Sequence, residues 1–164
     1  MNNKFVIFIS IVSVLILGIG IVAATSKTPP QLEQTDGAKL EFVGDKTFDW
    51  GIIDINGGIV EKIFTIRNAG ETDLLMTNVK TSCMCTEAQV IINGEASPAF
   101  QMHAQSSWKG TVKPGEEAQI RVVFDPLFHG PTGTGPITRL IGFDTNDRNN
   151  ATGELTVTAV VAKK

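Results

Sequence analysis

The sequence predicts an all-β fold, an immunoglobulin-like β-sandwich of about seven to nine antiparallel strands behind an N-terminal apolar helix. Several short runs alternate apolar and polar residues with a period of two, as in a strand with one buried face. Residues typical of turns separate these runs, and glycine is abundant at 16 residues. No amphipathic helix is expected beyond residue 24. A small β-barrel is the alternative arrangement of the same strands.

Residues 1–24 form a segment unlike the rest of the chain. Residues 5–24 carry no charge and consist mainly of Ile, Val, Leu and Phe, and Lys4 is the only charged side chain before them. About 20 residues in a helix rise roughly 30 Å, which is enough to cross the hydrocarbon core of a bilayer. Because the positive end is expected to stay in the cytoplasm, the segment predicts a single-pass anchor of the cytoplasmic membrane with an extracytoplasmic C-terminal domain. A signal peptide cleaved after Ala24 is the alternative, and it would release the same domain.

The remainder of the chain divides into a linker and one domain. Residues 25–38 are polar and contain Pro29 and Pro30, so they are expected to space the domain from the membrane. Residues 39–164 hold the strand patterns and form the predicted sandwich. The chain carries 17 acidic and 14 basic side chains, and one of the bases, Lys4, belongs to the N-terminal segment. This mildly acidic balance, without a basic stripe, disfavours nucleic acid as a partner.

The strand patterns differ in how regular their alternation is. The clearest runs lie at 63–67, 118–124 and 154–161, and weaker ones lie at 40–43, 74–81, 88–92 and 137–143. Turn residues mark gaps at 56–58, 68–70, 93–94 and 114–115. The side chains predicted to face the core in the clearest runs are Phe64, Ile66, Ala118, Ile120, Val122, Phe124, Leu155, Val157, Ala159 and Val161.

Several short motifs follow one another along the predicted domain. They are Phe48-Asp49-Trp50-Gly51-Ile52-Ile53, Phe64-x-Ile66-x-Asn68-x-Gly70, Ser82-Cys83-Met84-Cys85-Thr86, Pro114-Gly115-Glu116, Ile120-x-Val122-x-Phe124-Asp125 and Thr145-Asn146-Asp147. Together they resemble a bacterial family of exported Ig-like domains, domain of unknown function 1573 (DUF1573), over about residues 39–161. The resemblance implies an Ig-like sandwich related to the major sperm protein type, and it implies no particular activity. This sequence departs from the family pattern at Met84, where the motif has Gly, and in a longer stretch between Thr86 and Pro114.

Cys83 and Cys85 are the only cysteines of the chain, and Met84 separates them. In an extended strand both side chains would point to one face, with Cα atoms roughly 6.5 Å apart. That separation is near the upper limit for a disulfide, so a direct bond would need a bent backbone. Three states stay open: a disulfide, a pair of thiols, or two thiolates that share one metal ion. Exported thiols are normally oxidised or otherwise protected.

Further metal-ligating side chains lie beyond this motif in predicted loops. His103 and His129 are the two histidines of the chain, and Met102 precedes the first. If the sandwich brings these loops to one end, Cys83, Cys85, Met102, His103 and His129 form a metal site. Thiolate, thioether and imidazole together favour copper, above all Cu(I), whereas zinc would accept the cysteines and histidines alone. The spacing matches no standard zinc motif, and a purely structural role for these residues is the alternative.

No signature of an enzyme is present in the sequence. A cysteine nucleophile would need a partner base, and neither an acid–His–Cys order nor a G-x-S-x-G motif occurs. The polar stretch 144–150 has Arg148 where a calcium loop requires Asp or Asn, so it predicts a turn between the last two strands. We therefore expect a non-catalytic binding or scaffold module with a protein partner in the cell envelope. A copper-binding envelope protein is the alternative function, and a thiol-based enzyme is a distant third.

Overall fold

The computed structural model describes residue 3 and residues 7–16, 31–104 and 106–164. Residues 7–16, inside the predicted anchor, are helical, and most of their side chains are exposed. Among the residues just given, no helix is long and apolar enough to cross a membrane. Residues 17–24, with the alternative cleavage site after Ala24, lie outside the described residues. The anchor and the signal peptide therefore both stay predictions.

Two five-stranded sheets are formed by the described residues and face each other across one main core. The strands are β1 (Leu40–Val43), β2 (Thr47–Asp54), β3 (Val60–Asn68), β4 (Leu74–Thr81), β5 (Thr86–Ile92), β6 (Glu95–Ala96), β7 (Gly110–Val112), β8 (Glu117–Phe124), β9 (Gly135–Thr145) and β10 (Thr152–Ala162). The first sheet has the order β1-β3-β8-β5-β6, and the second has the order β2-β10-β9-β4-β7. This arrangement confirms the predicted β-sandwich.

The number and direction of the strands correct the sequence prediction. Ten strands are present in the described chain rather than seven to nine, and β2 runs parallel to β10 instead of antiparallel. Strands β6 and β7 have only two and three residues, which is too short for a periodic pattern. Strand β2 has Gly51 with φ of 68°, and its pairing with β10 shifts register between Thr158 and Val160. Such an irregularity breaks the two-residue alternation along the strand.

The core lies between the two sheets and is built by the alternating runs. All ten side chains predicted to face inward are buried, and Phe64, Ile120 and Val157 are among them. Strand β8 lies between β3 and β5, so the backbone hydrogen bonds of β8 are satisfied on both sides. Its alternating side chains then cover the inner face of the first sheet, as the alternation of a half-buried strand requires.

Asn68 ties together the loops at one end of the sandwich. It is fully buried at the end of β3. Its side-chain amide donates to the carbonyl oxygens of Thr72, at 2.8 Å, and Val112, at 2.9 Å. Its side-chain oxygen accepts the backbone N–H of Gly70 at 3.0 Å. The Asn68-x-Gly70 motif therefore stabilises a loop by the hydrogen bonding that buried polar groups require.

Asp147, at the same end, fixes the turn between β9 and β10. Its carboxylate accepts the backbone N–H of Leu40 at 2.9 Å and of Asn149 at 2.9 Å, and the Asn150 side-chain amide at 2.8 Å. Burial acts to raise the pKa of Asp147, but these hydrogen bonds, the one from Asn150 first, hold that pKa below its usual range. The carboxylate oxygens are thus engaged by N–H donors, as in the predicted polar turn.

Part of the predicted linker contacts the domain. Thr35 forms a parallel β-bridge with Asp147, and the Gln34 side chain donates to the carbonyl oxygen of Thr145 at 2.9 Å. Ala38 is buried in the main core. The ordered contacts of the domain therefore begin before residue 39, while residues 25–30 lie outside the described residues.

Candidate functional site

Cys83, Met84 and Cys85 lie in the connection from β4 to β5, where the chain passes from one sheet to the other. The Thr81 hydroxyl donates to the carbonyl oxygens of Cys83 and Thr86, each at 2.9 Å. The Thr86 N–H also donates to the Cys83 carbonyl oxygen, at 3.2 Å. These bonds bend the backbone into a turn.

The turn brings the two cysteines close enough to bond. Their Cα atoms are 5.3 Å apart, and a disulfide joins them. The motif lies in a tight turn between two sheets, which supplies the bent backbone that a direct bond needs. Of the three states that the sequence left open, the structure shows the disulfide.

The two cysteines differ in their surroundings. Cys85 is 3% exposed and packs with Ile55, Phe124 and Val161 in a small second core under the turn. Cys83 is only half-buried and lies at the edge of that core. The disulfide therefore has one sulfur facing the protein interior and one near solvent.

Arg139 contacts the buried sulfur. It occupies an inward position of β9, between Ile137 and the fully buried Ile141. Its Nε–H donates to the Sγ of Cys85 at 3.1 Å, and the guanidinium carbon lies 5.6 Å from the centre of the Phe124 ring. Burial lowers the pKa of Arg139, but a guanidinium stays charged in proteins.

Arg139 also lacks an acidic partner within the described ranges. The two salt bridges there join Arg121 to Glu61 and Arg148 to Asp36. Apart from Cys85, Arg139 donates only to the carbonyl oxygen of the adjacent Thr138. The positive charge nearest to the disulfide is therefore not neutralised by a carboxylate. Sequence reasoning missed this residue, although a charged side chain on the buried face of an alternating run was a signal for it.

His129 contacts the other sulfur. It lies in the loop between β8 and β9, and its Nε2 is 3.5 Å from the Sγ of Cys83. The sulfurs of Cys83 and Cys85 and a ring nitrogen of His129 all lie within 4.8 Å of one another. The structure thus brings together three of the five predicted metal ligands, because both connections cross between the sheets at the same end.

Met102 and His103 lie in a different place. They form a turn between β6 and β7, and His103 does not belong to the group of three. His103 lines a shallow hollow of about 260 Å³ with Met84, Ala99, Gln101 and Ala104. The Gln101 side chain reaches toward the Met84 carbonyl oxygen at 3.5 Å and donates to Glu87 at 2.7 Å. The turn therefore adjoins the cysteine motif on the side of Met84.

The loop that carries His129 also presents two apolar side chains. Leu127 is 46% exposed and Phe128 is 48% exposed. Asp125 fixes the start of the loop, because its N–H donates to the Cys85 carbonyl oxygen at 3.0 Å and its carboxylate accepts the Leu127 N–H at 2.9 Å. The loop and the disulfide turn therefore form one continuous surface, which we call the disulfide end and define by Cys83, Cys85 and residues 125–129.

Comparison with known proteins finds solved structures that are similar to this chain at low sequence identity. A protein of unknown function from Porphyromonas gingivalis W83 is 20% identical, with a TM-score of 0.57 over 77% of this chain and 49% of that one. This chain spans about half the length of that protein. The PapD-like domain 7 of human CEP192 is 14% identical, with a TM-score of 0.49 over 85% of this chain and 96% of that one. No curated protein matches.

The family match concerns the first half of the sandwich. It includes the β3 motif that ends at Asn68 and the cysteine motif at Cys83 and Cys85, which are two of the motifs that carry the resemblance. Residues 40–97 match the family described as protein of unknown function (DUF1573), which confirms the family that the sequence motifs indicate.

Proposed function

We propose that this chain is a non-catalytic binding module of the cell envelope, and that it binds a protein partner with its disulfide end. The single observation that carries the proposal is the pair Leu127 and Phe128, two adjacent large apolar side chains that are each nearly half exposed. Aromatic residues such as Phe are enriched at the centres of protein interfaces, and Leu127 extends the apolar surface beside Phe128. Residues 1–24 export the domain and hold it at the membrane.

The loop that presents this pair is held in one shape. The Gly130 N–H donates to the Leu127 carbonyl oxygen at 2.8 Å, and the Phe128 ring stacks edge-on against the His129 ring at 5.2 Å. Asp125 connects the loop to the disulfide turn, as described above. A loop already ordered before binding loses less conformational entropy when a partner docks.

The shape of the disulfide end favours a protein partner over a small molecule. The hollow that adjoins the cysteine motif at Met84 and His103 is open and shallow, with a volume of about 260 Å³. Small-molecule sites are usually enclosed clefts that bury most of the ligand. The acidic composition, with a net charge of −3, also disfavours nucleic acid.

Two features support an extracytoplasmic location. Residues 5–24 form the uncharged apolar segment described above, and it follows a single Lys. Cys83 and Cys85 form a disulfide, which persists in oxidising compartments and is rare in the cytosol. Both features agree with a domain that functions outside the cytoplasmic membrane.

Site-specific photo-crosslinking in the native cell tests the proposal. A photoreactive phenylalanine analogue replaces Phe128 in the full chain, and a matched control replaces the exposed Asn149 at the opposite end of β9. We expect a discrete protein adduct at position 128 and none at 149. The yield of the adduct at position 128 should fall when Leu127 is changed to Ser. An identical adduct pattern at both positions, or no adduct at position 128, contradicts the proposal.

Soft-metal binding is a second candidate function, and the convergence of Cys83, Cys85 and His129 supports it. It requires reduction of the disulfide, because cysteine binds a metal as the thiolate. It ranks second because a cation in this group would lie beside the Arg139 guanidinium. Mass spectrometry of the reduced full chain with Cu(I) tests this function. A Cys83→Ser/Cys85→Ser variant that binds as much copper as wild type would rule it out.

A further inference from the structure

We propose that Cys83 and Cys85 form a thiol–disulfide exchange site, which accepts two electrons from a dithiol of a partner protein or a small molecule. Cys83 is the sulfur that the incoming thiolate attacks, and Cys85 is the sulfur that leaves. Arg139 is a positioning residue that stabilises the negative charge on Cys85 after the bond breaks. The inference stands on the geometry of these groups and does not depend on the proposed partner of Leu127 and Phe128.

The difference in exposure decides which sulfur is attacked. Cys83 is half-buried and lies near solvent, next to the exposed Ser82 and the exposed His129. Cys85 is 3% exposed and covered by Phe124 and the other side chains of the small core. An external thiolate therefore reaches Cys83 first, because access governs the rate of exchange.

The placement of Arg139 decides which sulfur carries charge afterwards. Its Nε–H already points at the Cys85 sulfur at 3.1 Å, and no described carboxylate competes for the guanidinium. A cation close to a sulfur stabilises the thiolate over the thiol. A stabilised leaving thiolate makes the disulfide easier to reduce and a stronger oxidant.

The other groups near Cys85 act less directly. The Thr86 hydroxyl lies 3.7 Å from the Cys85 sulfur and can donate to a thiolate there. The backbone N–H of Asp125 donates to the Cys85 carbonyl oxygen, but the Asp125 carboxylate accepts the Leu127 N–H. His129 faces the Cys83 sulfur instead. Arg139 is therefore the one charged side chain that contacts the Cys85 sulfur within the described residues.

The exchange balances in two steps. A partner thiolate attacks the Cys83 sulfur, the Cys83–Cys85 bond breaks, and its electron pair goes to the Cys85 sulfur as a thiolate beside Arg139. The partner's second thiol then loses its proton to water and attacks the partner sulfur of the mixed disulfide, which releases Cys83 as a thiolate that takes up a proton. The partner dithiol is oxidised to a disulfide, and the Cys83–Cys85 disulfide is reduced. Each molecule of this chain accepts two electrons.

Equilibration with glutathione redox buffers tests the inference on the full chain in detergent. The reduced fraction is measured by alkylation of free thiols in wild type, Arg139→Gln and Arg121→Gln, because Arg121 is a surface arginine whose charge lies away from the cysteines. We expect the Arg139→Gln chain to require a buffer more reducing by on the order of tenfold, and Arg121→Gln to match wild type. An Arg139→Lys variant keeps the charge, so the buffer that reduces half of its disulfide should lie between those for wild type and Arg139→Gln. It also serves as the test if Arg139→Gln does not fold.

A trapping experiment tests which sulfur is attacked. With oxidised glutathione, Cys85→Ser should form a glutathione adduct at Cys83, and Cys83→Ser should form an adduct at least tenfold more slowly because Cys85 is buried. In the glutathione equilibration, equal midpoints of reduction for wild type, Arg139→Gln and Arg139→Lys would overturn the role of Arg139. A faster adduct on Cys83→Ser would overturn the order of attack. A disulfide that stays oxidised in excess reduced glutathione would overturn the exchange site itself.

Discussion

Arg139 donates its Nε–H to the Sγ of Cys85 at 3.1 Å, from an inward position on the strand opposite the cysteine turn. The contact joins the second sheet to the connection between the sheets. The sequence motifs fall into two groups, according to the end of the sandwich at which they lie. Asn68 and Asp147 organise one end of the sandwich through hydrogen bonds, while Cys83 and Cys85 lie at the other end beside exposed apolar side chains. The first group explains stability, and the second is the candidate for function.

Asp147 is expected to contribute strongly to stability. Both carboxylate oxygens of Asp147 accept N–H groups, whereas an Asn side chain has only one oxygen that can accept. Asp147→Asn should therefore lower the free energy of unfolding by about 2–3 kcal/mol. Chemical denaturation at neutral pH measures this cost. Asp45→Asn, at an exposed site, is the matched control and should change stability by less than about 0.5 kcal/mol.

The same residue predicts a pH dependence with a definite sign. Because hydrogen bonds lower the folded-state pKa of Asp147 below its ordinary value of 3.8, its stabilisation is complete above that value and disappears as the pH falls through the folded-state pKa. The difference in stability between wild type and Asp147→Asn should therefore shrink on acidification below about pH 4. A difference that stays constant or grows between neutral pH and strong acid would contradict this assignment.

Asn68 should be equally sensitive to truncation. Asn68→Ala leaves the buried carbonyl oxygen of Val112 and the partly buried carbonyl oxygen of Thr72 without their donor, at an expected cost of about 1–3 kcal/mol. The exposed Asn56 provides the control, because Asn56→Ala removes no side-chain hydrogen bond that the structure describes. Thermal and urea unfolding of the three proteins measure the effect. A cost for Asn68→Ala no larger than that for Asn56→Ala would exclude its role in the loop.

Reduction of the disulfide should cost the fold little. Cys83 and Cys85 are two residues apart, so the bond closes a very short loop and removes little entropy from the unfolded chain, about 1.5 kcal/mol. Urea unfolding of the oxidised and the reduced wild-type chain measures this difference without any substitution. A loss above roughly 4 kcal/mol would show that the bond mainly maintains the fold, since native structural disulfides contribute that much.

The N-terminal segment is expected to remain on the mature protein. The intact mass of the protein purified from its native membrane should include residues 1–24, and the domain should be digested by protease added outside the cytoplasmic membrane. A mass that corresponds to a chain beginning at Thr25, together with recovery in the soluble fraction, would favour the cleaved signal peptide.

The alternating strands could be predicted from sequence because their signal is local. Ile120 and Val122 alternate with polar residues within one run, so their burial follows from the pleat of a single strand. The site depends on contacts between distant segments. His103 and His129 both lie in loops that connect the two sheets, but among the described residues only His129 has its ring beside a cysteine sulfur. The contact of Arg139 with Cys85 likewise requires the register of β9 against the turn, which no single run of residues encodes.

The affinity of the crosslinked partner tests the account most directly. Once the adduct at Phe128 identifies that partner, its binding to the purified full chain is measured for wild type, Leu127→Ser/Phe128→Ser and the control Ile52→Ser/Val160→Ser. The control removes another exposed apolar pair, since Ile52 and Val160 are neighbours in the register of β2 and β10. We expect the Leu127/Phe128 variant to bind about tenfold more weakly or worse, and the control to bind like wild type. Equal affinity of all three proteins would contradict the assignment of the disulfide end as the binding surface.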